Sequence, residues 1–216
     1  MTVVGVIAAG GSGERLGASV PKAFVVVGGK PLYEWSAAVL REVCDRVLVV
    51  VPPETSDVRP QTSDFVVGGA SRSASVRNAV LAAPHADVYV VHDAARPLIE
   101  LELVKRCLDA VEGVEGAIAA ARVTDTVKEA DQGGRVLRTL DRSILWAVQT
   151  PQVFQGDALR SALDADDAVL AAATDDASLV EEAGGTIAVV EAPRENLKVT
   201  TPLDLRVAEA VLGARC

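Results

Sequence analysis

Residues 3–9 read Val-Val-Gly-Val-Ile-Ala-Ala and run directly into Gly10-Gly11-Ser12-Gly13. This feature constrains the fold more than any other. A short apolar run with no polar alternation predicts a strand buried on both faces. Such strands belong to parallel sheets covered by helices on either side. Residues 46–51, stopped by Pro52-Pro53, and residues 87–91, stopped by His92-Asp93, repeat the pattern. Shorter strands are expected at 23–27, closed by Gly28-Gly29, at 64–67 before Gly68-Gly69, and at 116–121, which is built of small residues. Helical stretches fall between them. Pro31 opens one, with Leu32, Trp35, Ala38 and Val39 on one face. Ser71 caps a second running through Ala83, with Val76, Val80 and Leu81 apolar, and a third lies near 100–111. Residues 54–63 read as a polar loop.

This alternation predicts an α/β fold with a mainly parallel sheet, whose ligands bind at the carboxyl ends of the strands. The glycine loop, Gly68-Gly69 and His92-Asp93 all fall at such ends. The rhythm breaks after Arg122. Residues 124–144 alternate polar and apolar around Gly133-Gly134, as a hairpin arm reaching out of the domain does. Helices return near 156–164 and 176–184, followed by a strand at 186–190 and a last helix from Pro202; the Ala/Asp-rich stretch 162–173 reads as surface helix. The expected organisation is a single domain over 1–216, with 122–145 as an arm.

The chain has 216 residues, half of them hydrophobic, which is enough to bury a core without a metal or disulfide staple. No apolar run approaches the ~20 residues that span a bilayer. The first residues carry no basic stretch of a signal peptide. Cys44, Cys107 and Cys216 are odd in number and lie at no metal-ligand spacing, so a reduced cytoplasmic protein with incidental cysteines is expected. A net charge of −9 argues against nucleic acid as a partner. It leaves room for an anionic small molecule where a few cations converge. Sixteen arginines stand against only five lysines, so the lysine positions are informative.

Gly10, Gly11 and Gly13 expose backbone N–H groups after a strand, an arrangement that cradles anions. The Rossmann fingerprint fails because Leu16 stands where its third glycine belongs, and no Gly-Lys-Ser/Thr of a P-loop follows. Taken alone, the glycines also fit a plain tight turn. Arg15 and Lys22 shift the balance, since both can fold back on one polyphosphate; Lys22 by itself reads as a solvated loop lysine. Gly68-Gly69 lets backbone approach a flat base, and Ser75 in the following helical turn can meet the base edge. Strand termination and capping explain the same residues blandly. Asp93, at a strand's carboxyl end, suits a ribose hydroxyl or a magnesium ion, and Arg96 a phosphate or a neighbouring carboxylate. Lys198, in Asn196-Leu197-Lys198-Val199-Thr200, is another scarce lysine, at a helix start. Trp146 reads as packing.

Together these segments resemble the 2-C-methyl-D-erythritol 4-phosphate cytidylyltransferase family of nucleotidyltransferases. The resemblance rests on Ala9 to Leu16 with Pro21-Lys22, Gly68-Gly69 with Ser75, and His92-Asp93-Ala94-Ala95-Arg96-Pro97. Asp125-Thr126-Val127-Lys128, Asp141-Arg142, Trp146-Ala147-Val148-Gln149-Thr150-Pro151-Gln152, Thr174-Asp175-Asp176 and Asn196 to Thr200 complete it, in family order over nearly the whole chain. It implies a single Rossmann-like nucleotidyltransferase domain with a protruding β-hairpin arm. It also implies a homodimer whose active sites are shared between subunits. Ala9, Gly10, Gly11, Gly13, Arg15 and Lys22 would then hold CTP phosphates, Gly68, Gly69 and Ser75 would read cytosine, and Asp93 and Ala94 would complete the nucleotide site. Arg15, Lys22 and Lys198 would be catalytic. Asp93, Arg96, Thr126, Arg142, Thr150 and Thr174 would bind the sugar phosphate, with Arg142 and Lys198 positioning it. Mg²⁺ would ride on the CTP phosphates and not in a protein cage. Ala8 departs from the family's usual proline, which changes loop stiffness. Ala70 replaces an aspartate found in some members and brings no side chain to base reading. A ribitol-5-phosphate cytidylyltransferase carries much the same motifs. A nicotinamide dehydrogenase lacks support without the third glycine, and a catalytically silent scaffold would not retain Arg15, Lys22 and Lys198 together.

Overall fold

The computed structural model describes residues 1–11, 13, 16, 20–55 and 64–214. Arg15, residues 56–63 of the expected polar loop and Cys216 lie outside them. The strands are β1 (Val3–Ala8), β2 (Val26–Val27), β3 (Lys30–Pro31), β4 (Arg46–Val51), β5 (Asp64–Val67), β6 (Val88–Asp93), β7 (Gly116–Arg122), β8 (Lys128–Ala130), β9 (Val136–Thr139), β10 (Trp146–Gln155) and β11 (Ile187–Glu191). The helices are α1 (Leu32–Leu40), α2 (Arg72–Ala82), α3 (Leu101–Ala110), α4 (Gly156–Leu163), α5 (Asp167–Ala172), α6 (Asp176–Glu182) and α7 (Pro202–Gly213).

Seven strands make one sheet in the order β11-β7-β10-β6-β1-β4-β5. Every pairing is parallel except the two that β10 makes with β6 and β7. Successive side chains of a strand point to opposite faces. Val3 and Ile7 therefore join Val49, Val51 and Val90 beneath α1 and α3, whereas Val4 and Val6 join Leu48, Val50, Tyr89 and Val91 beneath α2, α4, α5 and α6. Both faces are apolar, so the central strands cannot show polar alternation. Each fully buried Leu, Ile or Phe side chain contributes about 1.5–3 kcal/mol relative to exposure. A third cluster, Val27, Leu32, Leu98, Val199, Ala208 and Leu212, seats α7 beside β2.

Three local expectations are corrected, and one further strand is found. The stretch 23–27 is not one strand: Lys22–Phe24 forms a 3-10 turn, and only Val26–Val27 pairs, with Lys30–Pro31. The buried face of α1 is Leu32, Tyr33, Ser36, Ala37 and Leu40. Trp35 stays at its margin because its indole N–H donates to the Val27 carbonyl at 2.9 Å, the partner a half-buried Trp needs. Leu81 is 68% exposed on the outer side of α2. Finally, Trp146 to Gln155 is a ten-residue strand in the heart of the sheet. Its pairing with β7 slips between Val148 and Gln152, where Pro151 has no N–H for the ladder. Gln149 turns there to Pro193 and Asn196 off the sheet, and Thr150 Oγ1 turns to His92 and Asp93 at the end of β6.

The arm takes the expected hairpin form. β8 and β9 pair antiparallel in a separate two-stranded sheet. Asp131 accepts the N–H groups of Gly133 and Arg135, both at 2.9 Å, and so closes the turn. Val136, Leu137 and Ile144 on the arm are 54%, 58% and 74% exposed.

Candidate active site

The register aligns the strand ends. Ala8 lies opposite Val50 and Asp93, and Val51 opposite Val67. The segments following β1, β4, β5 and β6 therefore emerge along one edge and enclose a cavity of about 720 Å³. Ala9, Gly10, Gly11, Lys22, Gly68, Gly69, Ser75, Asp93, Ala94 and Lys198 line it, which brings ten of the residues singled out in the sequence to one place.

The glycine loop returns on itself. The Lys22 N–H donates to the Gly11 carbonyl at 3.0 Å, and the Lys22 side chain passes over Gly11. Gly13 has φ +80°, and a Cβ there would lie 2.9 Å from the Val20 carbonyl oxygen, so only glycine lets the loop close this tightly. Lys22 thus starts a 3-10 turn against Gly11.

The second glycine pair is pressed on the start of α2. The Gly68 N–H donates to the Val51 carbonyl at 2.8 Å, and the Gly69 N–H to Ser75 Oγ at 3.0 Å. A Cβ on Gly69 would sit 2.7 Å from that of Ala74. Ser75 Oγ gives its proton to the Ser71 carbonyl at 2.8 Å and accepts the Gly69 N–H, which leaves it the capacity to accept one further hydrogen bond. Ser71 caps α2 by accepting the Ala74 N–H at 3.1 Å.

Asp93 gathers the cations. Its Oδ2 lies 2.7 Å from Lys198 Nζ and 4.0 Å from Arg96 Nε, and its Oδ1 lies 3.3 Å from Arg72 Nε. Burial opposes the charge on Asp93, but Arg72, Lys198 and Arg96 outweigh it and hold the carboxyl well below the usual carboxylate range. Lys198 is brought in by its neighbours. The Val199 N–H donates to the Ala95 carbonyl at 2.8 Å, and Asn196 Nδ2 donates to the Thr150 carbonyl and to Gln149 Oε1, both at 2.8 Å. Thr201 and Asp204 then form a capping box that starts α7.

Thr150 and Arg96 lie behind this layer. The Asp93 N–H donates to Thr150 Oγ1 at 3.0 Å, and Thr150 Oγ1 is 3.0 Å from His92 Nδ1. His92 Nε2 is 3.1 Å from the Arg96 carbonyl, which only accepts. The relay has one consistent direction: Thr150 O–H donates to Nδ1, and Nε2–H donates to Arg96. Arg96 Nη1 in turn donates to the Asn196 carbonyl at 2.8 Å.

Burial, only partly offset by the Arg96 carbonyl and Asp93, lowers the His92 pKa from 6.5 to about 4. The unfolded chain takes up this proton near pH 6.5 and the folded chain does not, so His92 makes stability fall as pH drops from about 6.5 to about 4. The full effect is roughly 3 kcal/mol. In a His85→Gln background, an NMR titration is expected to find His92 neutral until about pH 4. A midpoint at the ordinary value would break the relay.

The remaining sequence-singled residues lie apart. Gly13, Arg96 and Thr150 support the cavity without lining it. Thr126 and Arg142 are exposed on the arm, Arg142 donating to the Thr124 carbonyl at its root, and Thr174 is exposed just before α6. None of these three lines the cavity. Sequence reading assigned no role to Arg72, which does line it and which also pairs with Asp176. A signal was present: Arg72 is a cation at a helix N-terminus with no acid in the first turn, against the helix dipole. Trp146 packs under the Arg122 guanidinium, 4.4 Å from its ring centre, as a packing residue does.

A profile of the 2-C-methyl-D-erythritol 4-phosphate cytidylyltransferases matches residues 3–214. The chain belongs to that family. The family member from Nocardia farcinica is 43% identical, the match covering 99% of this chain and 95% of that protein. The one from Rubrobacter xylanophilus is 42% identical over 98% and 95%. The crystal structure of the Thermus thermophilus member superposes with a TM-score of 0.84 at 37% identity, covering 99% of this chain and all of that one. Family membership thus agrees with the α/β fold and its mainly parallel sheet. Among the described residues no helix is long and apolar enough to cross a membrane.

Proposed function

We propose that this protein transfers the cytidylyl group of CTP to 2-C-methyl-D-erythritol 4-phosphate, giving CDP-methylerythritol and pyrophosphate. One observation carries the reading: the glycine loop with Lys22, the Gly68-Gly69-Ser75 platform and the Asp93–Lys198 pair meet on one cavity in a chain matching the family from residue 3 to 214. The triphosphate lies along the N–H groups of Gly10 and Gly11, in a loop that Gly13 closes, with Lys22 and, from its place in the sequence, Arg15 against it. Ser75 favours cytosine, because an acceptor oxygen suits the exocyclic amino donor that uracil lacks.

The acceptor's phosphate oxygen attacks the α-phosphorus, the new P–O bond forms, and the bond to the β-phosphate oxygen breaks as pyrophosphate leaves. A phosphate monoester is already ionised near neutral pH, so no general base is required. The neutral His92, engaged at both nitrogens, is consistent with this. Catalysis then rests on positioning and charge neutralisation, supplied by Arg15, Lys22 and Lys198. Arg96, Thr150 and Thr174 belong to the sugar-phosphate side. Asp93 is the one carboxylate among the described cavity-lining residues, and both of its oxygens face cations. A divalent ion would therefore be carried on the triphosphate and not held in a protein cage. Mg²⁺ would neutralise phosphate charge there while keeping several waters.

The chain acts as a single 1–216 domain, and residues 122–145 dock on a second copy, presenting Thr126 and Arg142 to its sugar-phosphate site. The exposed Val136, Leu137 and Ile144 support this, since an isolated hairpin is marginal in water. A cytoplasmic setting is supported by the free thiols Cys44 and Cys107, which burial pushes up to about 12. The test is pyrophosphate release with each nucleoside triphosphate against a panel of sugar-alcohol phosphates. CTP with methylerythritol phosphate is expected to be fastest. Faster turnover with ribitol 5-phosphate overturns the acceptor assignment.

A further inference from the structure

We infer that Arg72 is a positioning residue, held by the buried Asp176 so that it occupies one oxygen of Asp93 and leaves the other for Lys198. Arg72 Nη1 lies 2.6 Å from Asp176 Oδ2, and Arg72 Nε lies 3.3 Å from Asp93 Oδ1. The three residues come from the starts of α2 and α6 and the end of β6, 21 and 104 positions apart. Nothing local to α2 favours an arginine at its first residue.

Asp176 is 0% exposed, and its Oδ1 has no hydrogen-bond partner among the described residues. Burial pushes its carboxyl up, and Arg72 pulls it back. A buried ion pair of this kind is a weak source of net stability, because desolvation cancels much of the attraction. Its use here is geometric. The frame around Asp176 is fixed: Asp175 caps α6 by accepting the Ser178 N–H at 2.9 Å and also accepts from Gln152 Nε2 at 2.7 Å, on the strand next to β6. A planar guanidinium can address two carboxylates at set angles, and a lysine ammonium cannot.

The consequence reaches Lys198. With Arg72 on Oδ1, Asp93 holds Lys198 through Oδ2 alone. Without Arg72, both oxygens are free to take the ammonium. Lys198 is then drawn toward Asp93 and away from the reacting phosphates, so turnover falls more than CTP binding does.

The experiment measures kcat, the KM for CTP and Tm for Asp176→Asn, Arg72→Gln, Arg72→Lys, and the doubles Arg72→Gln with Asp176→Asn and Arg72→Met with Asp176→Leu. Arg72→Gln is expected to lower kcat ~10–100-fold, as loss of an orienting partner does, with KM changed less. Arg72→Lys does not rescue it. Asp176→Asn, outside the cavity lining, lowers kcat about tenfold. The first double is no worse than Arg72→Gln alone, because Asp176 acts through Arg72. The Met–Leu double, an apolar replacement of the pair, regains Tm but not kcat. Recovery of kcat together with Tm, wild-type kcat in Asp176→Asn or Arg72→Lys, or additive losses would overturn the inference. It rests on the cytidylyl-transfer reading only for its assay. A wild-type protein inactive across the whole substrate panel fails that reading, whereas an active wild type matched by its variants fails this one.

Discussion

Lys22→Ala is expected to lower kcat ~10²–10³-fold while leaving the KM for CTP within a few-fold, and Arg15→Ala to behave alike. The Lys22 backbone is bonded to Gly11, and its side chain passes over the same loop that is proposed to hold the triphosphate. Charge builds on the bridging and leaving oxygens only as the bond to pyrophosphate breaks. A cation at that point therefore meets the transition state more strongly than the bound substrate, and its loss appears in kcat. Lys198→Ala is expected to fall in the same range, with a further sign: Asp93 loses the ammonium on Oδ2, 2.7 Å away, and is left to Arg72 and Arg96. Steady-state kinetics over a CTP series checks all three. A raised KM with normal kcat would mean these residues only bind.

Much of this site is legible in the sequence, for a physical reason. The central strands are apolar on both faces, so residues 3–9, 46–51 and 87–91 stand out, and parallel strands put the segments after them on one edge. What resists reading depends on partners distant in the chain. β10 is hidden because Gln149, Thr150 and Gln152 are polar yet buried, with hydrogen bonds to Asn196, His92 and Asp175, respectively. Arg72 looks like a helix surface residue until Asp176 is brought beside it. The buried face of α1 is misread because Trp35, the largest apolar residue there, is held at the margin by its own N–H. Thr126 and Arg142 pose another problem: the cavity they are proposed to serve is not the one in their own chain.

Mixing two nearly dead variants is expected to restore activity. Lys22→Ala removes a cavity-lining cation. Arg142→Ala removes a side chain on the exposed arm that is tied in its own chain only to the Thr124 carbonyl among the contacts described. If the arm serves the partner's site, a heterodimer of the two variants has one site with both defects and one with neither. Random 1:1 exchange makes half of the dimers mixed, so about a quarter of wild-type activity should return in a two-fold dimer. If Arg142 acts within its own chain, each site of the heterodimer keeps one defect and nothing returns. Subunit exchange is followed independently by native mass spectrometry of the two tagged variants. The exposed Val136, Leu137 and Ile144 give the arm an apolar surface to bury in such a dimer. Changing Leu137 and Ile144 to Asp should therefore weaken the dimer, and activity should fall on dilution. Verified exchange with no recovered activity, or a monomer that retains full turnover, rules out the shared site.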